Sequence, residues 1–265
     1  YEALKFNHNN WVAHYLLAEI IYWRLENNDT GRSFSWREAE RHLQTAAKLE
    51  PKNPEIWALY GFLLREIAFE DEYLRDSERI IEYLQRALKL GILDIDEPLL
   101  PGGGRQSEVL SKLAHTFKDT KKFAEALKIF QKQYKLNGRV VFLREIAICY
   151  EKLGNHSKAN ELNLKVIKTK DAFHYRDAFY SVALFAYNNK RFDDALKYAE
   201  KLISLEQYET TSNNNKARDA ILLSQILFAL NNSKRALTIV NTALLDAPQH
   251  SVLLLQKCTC LAELE

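Results

Sequence analysis

At 265 residues the chain has the length of one or two ordinary domains, and its 47% hydrophobic content supplies an ample core. Eight Gly and five Pro are too few for the turns of an all-β fold, and a net charge of +2 does not resemble a dedicated nucleic-acid domain. No apolar run approaches the roughly 18 residues that a membrane span needs, and the N-terminus carries no signal-peptide core.

In chain order, Asn10 to Glu26 places Trp11, Tyr15, Ala18, Tyr22 and Leu25 at helical spacing, and Asn27-Asn28-Asp29-Thr30-Gly31 breaks the pattern. A second helix is expected from Trp36 to Leu49, with Ala39, Leu43 and Ala46 on one stripe. Pro51 ends it, and Asn53 can cap the next helix with Pro54 at its first position. That helix carries Trp57, Tyr60, Gly61 and Leu64, and its successor carries Ile80, Leu84 and Ala87. The separation from Trp57 to Ile80 exceeds the 16-residue spacing seen later by seven, which two extra helical turns fit. Residues 93–106 hold Asp94, Asp96, Glu97, two prolines and Gly102-Gly103-Gly104. They lack the phosphate-loop motif and read as a flexible connector. Two elongated hairpins in 1–92 and an array in 107–265 follow from that division.

Beyond the connector the chain repeats itself. Anchors at Leu110, Leu143, Phe179, Ala220 and Leu254 lie 33, 36, 41 and 34 residues apart. Sixteen positions after the first four come Ala126, Ala159, Ala195 and Ala236. Four positions after all five come Ala114, Ala147, Ala183, Ser224 and Cys258. Turns are expected at Asp119-Thr120, Gly154-Asn155, Asn188-Asn189 and Asn231-Asn232. A period near 34 residues marks stacked helix pairs that bury their apolar faces only against neighbours.

These residues resemble the tetratricopeptide repeat (TPR) family. If the anchor is position 4, the second repeat matches with Trp57, Tyr60, Gly61, Leu64 and Ala87. The third matches with Leu110, Leu113, Ala114, Phe117, Ala126 and Phe130, and the fourth with Leu143, Ile146, Ala147, Tyr150 and Ala159. The sixth matches with Leu223, Leu227, Ala236, Val240, Ala243 and Pro248. Small residues let two helices approach closely, and large ones fill the gaps. Departures include Asn163, where an aromatic or aliphatic residue is usual, and Gln133, Val166 and Leu202, where Ala is usual. The resemblance implies an all-α fold, a right-handed α-solenoid of about six and a half helix hairpins. Residues 107–265 would form four repeats and the first helix of a fifth.

Catalytic signatures are missing: there is no His-Glu-x-x-His, Gly-x-Ser-x-Gly, Ser-x-x-Lys or dinucleotide glycine fingerprint. The seven histidines are scattered, and Cys149, Cys258 and Cys260 form no metal-type pair. Neither an enzyme nor a cofactor is expected. The cysteines read as reduced, packed side chains of a cytoplasmic protein. The chain begins at Tyr1 rather than Met, which reads as a fragment or a trimmed chain.

The resemblance implies a protein-interaction scaffold or adaptor subunit that takes a peptide or partner segment on its concave face. The corresponding positions include His115, Lys118, Arg144, Ile148, Tyr180, Leu184, Tyr187, Gln225 and Phe228. Tyr and Phe flanked by Arg have the composition of interface hot spots. The family's clamp for chaperone C-terminal carboxylates needs Lys and Asn where this chain has Ser111 and His115, so that use is rejected. The alternative is a helical-repeat RNA-binding protein, from Lys118, Lys121, Lys122, Lys128, Lys132, Lys135 and Arg139. Against it, Phe123 and Phe130 fall at core positions, and Asp119 and Glu125 interleave with the lysines. The last helix carries Val252, Leu253, Leu254, Leu255 and Leu261, so this end is expected to be covered by further chain or an oligomer contact.

Overall fold

Apolar residues at helical spacing, interrupted at each turn, fold into thirteen helices among the described residues. The computed structural model describes residues 4, 7–27, 35–70, 76–93, 105–169, 172–205 and 212–264. The helices are α1 (Trp11–Glu26), α2 (Trp36–Leu49), α3 (Pro54–Glu70), α4 (Ser77–Lys89), α5 (Arg105–Asp119), α6 (Phe123–Asn137) and α7 (Val140–Lys152). They continue as α8 (His156–Thr169), α9 (Ala172–Asn188), α10 (Phe192–Ile203), α11 (Asn213–Ala229), α12 (Ser233–Asp246) and α13 (Ser251–Ala262). Side chains of Asn10, Ser35, Asp76 and Asn232 cap helix starts by accepting from backbone N–H groups three residues on.

The chain divides into two compact units, Tyr1–Leu136 and Asn137–Glu265. In the first, α1 pairs with α2 and α3 with α4, while α5 packs on both α4 and α3. In the second, α7 pairs with α8, α9 with α10 and α11 with α12, and the odd-numbered helices α7, α9, α11 and α13 also touch in sequence. Most of the segment read as a connector, residues 94–104, lies outside the described residues. The helices flanking it, α4 and α5, pack together within the first unit.

The repeat register is written into the turns. Lys121, Gly154, Lys190 and Asn231, each eleven residues after its anchor, all adopt positive φ, at 62°, 80°, 57° and 57°. At each, the next residue donates back across the turn: Lys122 N to Phe117 O, Asn155 N to Tyr150 O, Arg191 N to Ala186 O and Asn232 N to Leu227 O, at 2.7–2.9 Å. This 6→1 bond with a left-handed residue is the Schellman ending of a helix. Only one of the four positions is Gly.

Small residues sit where helices cross: Ala114, Ala126, Ala147, Ala183, Ala195 and Ala236 are fully buried. The long second hairpin differs from the expectation of two extra turns. Past its anchor, α3 runs four residues further than α5, α7, α9 or α11 do, which is about one turn. The rest of the excess falls in residues 71–75, outside the described residues. In α13, Leu253 and Cys260 are buried against the preceding hairpin, whereas the anchor Leu254 is 41% exposed and Leu261 42%. Those two occupy positions that in earlier repeats face the hairpin's own second helix.

Candidate binding groove

Seven of the nine candidate residues lie on alternate helices of the second unit. Arg144 and Ile148 are on α7, Tyr180, Leu184 and Tyr187 on α9, and Gln225 and Phe228 on α11. All seven are half-buried rather than fully open. Tyr180, Leu184 and Tyr187 rest on the buried cluster that includes Ala183, Ala186, Leu222 and Ile226. Their rings therefore support the core on one side while part of each stays accessible. His115 and Lys118 belong to the first unit, on α5, and are also half-buried. His115 donates from Nδ1 to the carbonyl of Ser111 at 2.8 Å and meets Phe130 edge-on at 5.2 Å, so its own hairpin fixes the ring.

A polar layer that the sequence did not reveal links α7, α8 and α9. Arg144 donates from Nη1 to Asn163 Oδ1 at 3.0 Å and from Nη2 to Ser181 Oγ at 3.4 Å. Burial pushes the guanidinium down from its usual pKa, with Asp177 the largest opposing charge. Arginine can only donate, so the oxygen of Asn163 must face it, and the amide NH₂ is turned to other acceptors. The Ser181 oxygen likewise accepts, which leaves its hydroxyl hydrogen to be given elsewhere. A cavity of about 680 Å³ adjoins these groups, lined by Asn163, Ser181, Leu184, Glu151, Asn155 and Asn188 among others. It lies at the edge where α7 turns into α8. Asn163 is buried at a position where the repeat normally places an aromatic or aliphatic residue, and that mismatch was the sequence signal for it.

Between α9 and α11 sits a charged cluster. Arg176 bonds Asp219, and Arg218 reaches Asp219 at 3.4 Å and Asp177 at 3.2 Å. The Arg218 guanidinium also lies 4.0 Å from the centre of the Tyr180 ring. The Asp219 side chain is wholly inaccessible, and burial pushes its carboxyl up to about 6 against the pull of the two guanidiniums. This cluster ties two groove helices together and orients Tyr180. Among the described residues no group of three or more His, Cys, Asp or Glu is placed to hold a metal ion. No described helix is long and apolar enough to cross a membrane.

No family model matches the chain, and no curated protein matches it in sequence. Solved structures do match in fold. PilF of Pseudomonas aeruginosa is similar with a TM-score of 0.60 at 14% identity, covering 96% of this chain and 97% of that one. PilW, a widely conserved type IV pilus biogenesis factor, gives 0.60 at 18% identity, covering 92% and 96%. YrrB, a TPR protein with an unusual peptide-binding site, gives 0.58 at 14% identity, covering 77% and 91%. The fold is thus the all-helical one of TPR solenoids.

Proposed function

We propose that this chain is a protein-interaction scaffold or adaptor subunit, cytoplasmic and without catalysis or cofactor, that binds a peptide or partner segment along α7, α9 and α11. The observation that carries this reading is the polar cavity beside half-buried aromatic rings, where Asn163 and Ser181 lie next to Leu184. Arg144 holds the acceptor atoms of Asn163 and Ser181, so the hydrogens left over suit main-chain carbonyls of a bound segment. Leu184 supplies apolar contact in the same cavity, and Tyr180 and Tyr187 provide it on the same helix. Polar and apolar groups share this lining, which suits a segment that offers both main-chain and side-chain contacts. YrrB, similar in fold, is described by its peptide-binding site, which supports the same class of ligand. The apolar face of α13 belongs to this reading as a surface covered by further chain or by an oligomer contact. A stable monomer in sedimentation velocity with that face open would contradict it.

Copurification from native cells with mass spectrometry identifies the partner, and calorimetry with the bound segment tests the groove. Tyr180→Ala and Tyr187→Ala should each weaken binding by about 1–2 kcal/mol, with circular dichroism showing the helices intact. Unchanged affinity in both variants would move the site away from this face.

A further inference from the structure

A second apolar groove lies in the first unit, formed by α4, α5 and α6, and the peptide-binding proposal above makes no use of it. Its floor is Leu110, Leu113 and Phe117 of α5, and its walls are Leu88 of α4 and Ile129 of α6, enclosing about 480 Å³. The floor residues are spaced over two turns of α5, so the groove runs about 10 Å along that helix. Lys128 and Lys132 line one wall, four residues apart on α6 and both exposed. Neither lysine has an ion-pair partner among the described residues. Glu125 lines the same wall one turn earlier and gives the rim a direction.

We propose that this groove docks an acidic amphipathic segment of a partner protein, with aliphatic side chains over Leu110, Leu113 and Phe117 and carboxylates against Lys128 and Lys132. An apolar floor rewards a ligand that brings its own apolar area. The two unpaired ammonium groups at the rim outnumber the Glu125 carboxylate beside them and select for negative charge over positive. Nucleic acid fits less well, because the one aromatic ring of the lining, Phe117, is buried in the floor and offers no platform for base stacking. A lipid surface fits less well too, because these apolar groups are recessed between helices rather than projecting. The basic run on α6 thereby gains a role that the groove of the second unit does not give it.

The test is selection of a random peptide library displayed on phage against the whole chain. Synthetic copies of the enriched peptides are then measured by fluorescence anisotropy. The expected result is a class of peptides with Asp or Glu interleaved with Leu, Ile or Phe. That class should lose roughly tenfold or more in affinity for Lys128→Glu/Lys132→Glu, and weaken as salt is raised. Ile129→Ser, which leaves the charge unchanged, should weaken the same peptides. Tyr180→Ala/Tyr187→Ala should leave them unaffected, which separates this site from the groove of the second unit. If no such class emerges, or if it binds the charge-reversed chain equally well, the proposal is overturned. It is equally overturned if only oligouridylate or phosphatidylserine vesicles bind in a manner that needs the two lysines.

Discussion

A β-carbon at Gly61 would lie 2.6 Å from Leu84 Cδ2 and 2.8 Å from Leu84 Cγ, where α3 crosses α4. Two effects of Gly61→Ala oppose each other. Alanine favours the helix by about 0.8–1.0 kcal/mol over glycine in a helix interior. Forcing a methyl into a filled contact costs roughly 1–3 kcal/mol. Leu84 is completely buried, and the near contact with its Cγ means that turning the end of the side chain cannot relieve it. Overpacking therefore wins, and the variant should lose about 1 kcal/mol in urea unfolding followed by circular dichroism. The sign should reverse once the obstacle is gone. Leu84→Ala alone costs about 2–5 kcal/mol, and adding Gly61→Ala in that background should restore about 1 kcal/mol. If Gly61→Ala stabilises the unaltered chain by the full helix-propensity gain, the helices do not approach as closely as a 2.6 Å contact with Leu84 requires.

Three further outcomes are expected. Lys190→Gly, at a left-handed turn position, should stabilise the chain by about 1 kcal/mol, and Gly154→Ala should destabilise it by a similar amount; effects of the same sign in urea melts would contradict the shared turn register. His42 meets His14 Nδ1 to Nδ1 at 2.8 Å across α1 and α2, and burial and then His14 lower its pKa from 6.5, partly offset by Glu38 and with Arg41 adding to the lowering. The folded state thus binds this proton less readily than the unfolded chain, so the contribution of His42 is fully present above pH 6.5 and is lost as the pH falls from there through the lower folded-state value. Urea midpoints should fall on acidification and fall less in His42→Gln; identical pH profiles would remove the His pair from the account. Asp219→Ala, which leaves the largely buried Arg176 only the longer 3.7 Å contact with Asp177, should cost about 3 kcal/mol, and a loss below about 1 kcal/mol would show the cluster to be solvated.

The helices and their pairing were legible because each repeat must solve the same close-packing problem. Ala126, Ala159, Ala195 and Ala236 mark crossings that admit no larger side chain, and their regular spacing survives variation elsewhere. The left-handed turns were legible at Gly154 and Asn231, residues that favour positive φ, but not at Lys121 and Lys190, which carry no local signal for it and are held there by the 6→1 bonds around them. The groove helices could be assigned from the repeat, but not the polar layer behind them. Arg144, Asn163 and Ser181 sit 19 and 37 residues apart on three helices, and no local pattern joins them. Asp219 was hidden for a similar reason, because its guanidinium partner Arg176 lies 43 residues earlier. The repeat placed the aromatic residues on the groove but said nothing of how far they are covered. Tyr180 and Tyr187 are half-buried because they pack on a cluster that α9, α10 and α11 build together, and that packing is not a property of any one helix.

The central claim is that a partner segment uses the hydrogens that Arg144 leaves to Asn163 and Ser181. An NMR titration of the labelled chain with the copurified partner segment observes one of these directly, through the side-chain NH₂ of Asn163. The account predicts that this resonance and the methyl groups of Leu184 shift together and saturate at the affinity found by calorimetry. Binding that leaves both unmoved while resonances of α8, α10 and α12 shift would contradict it.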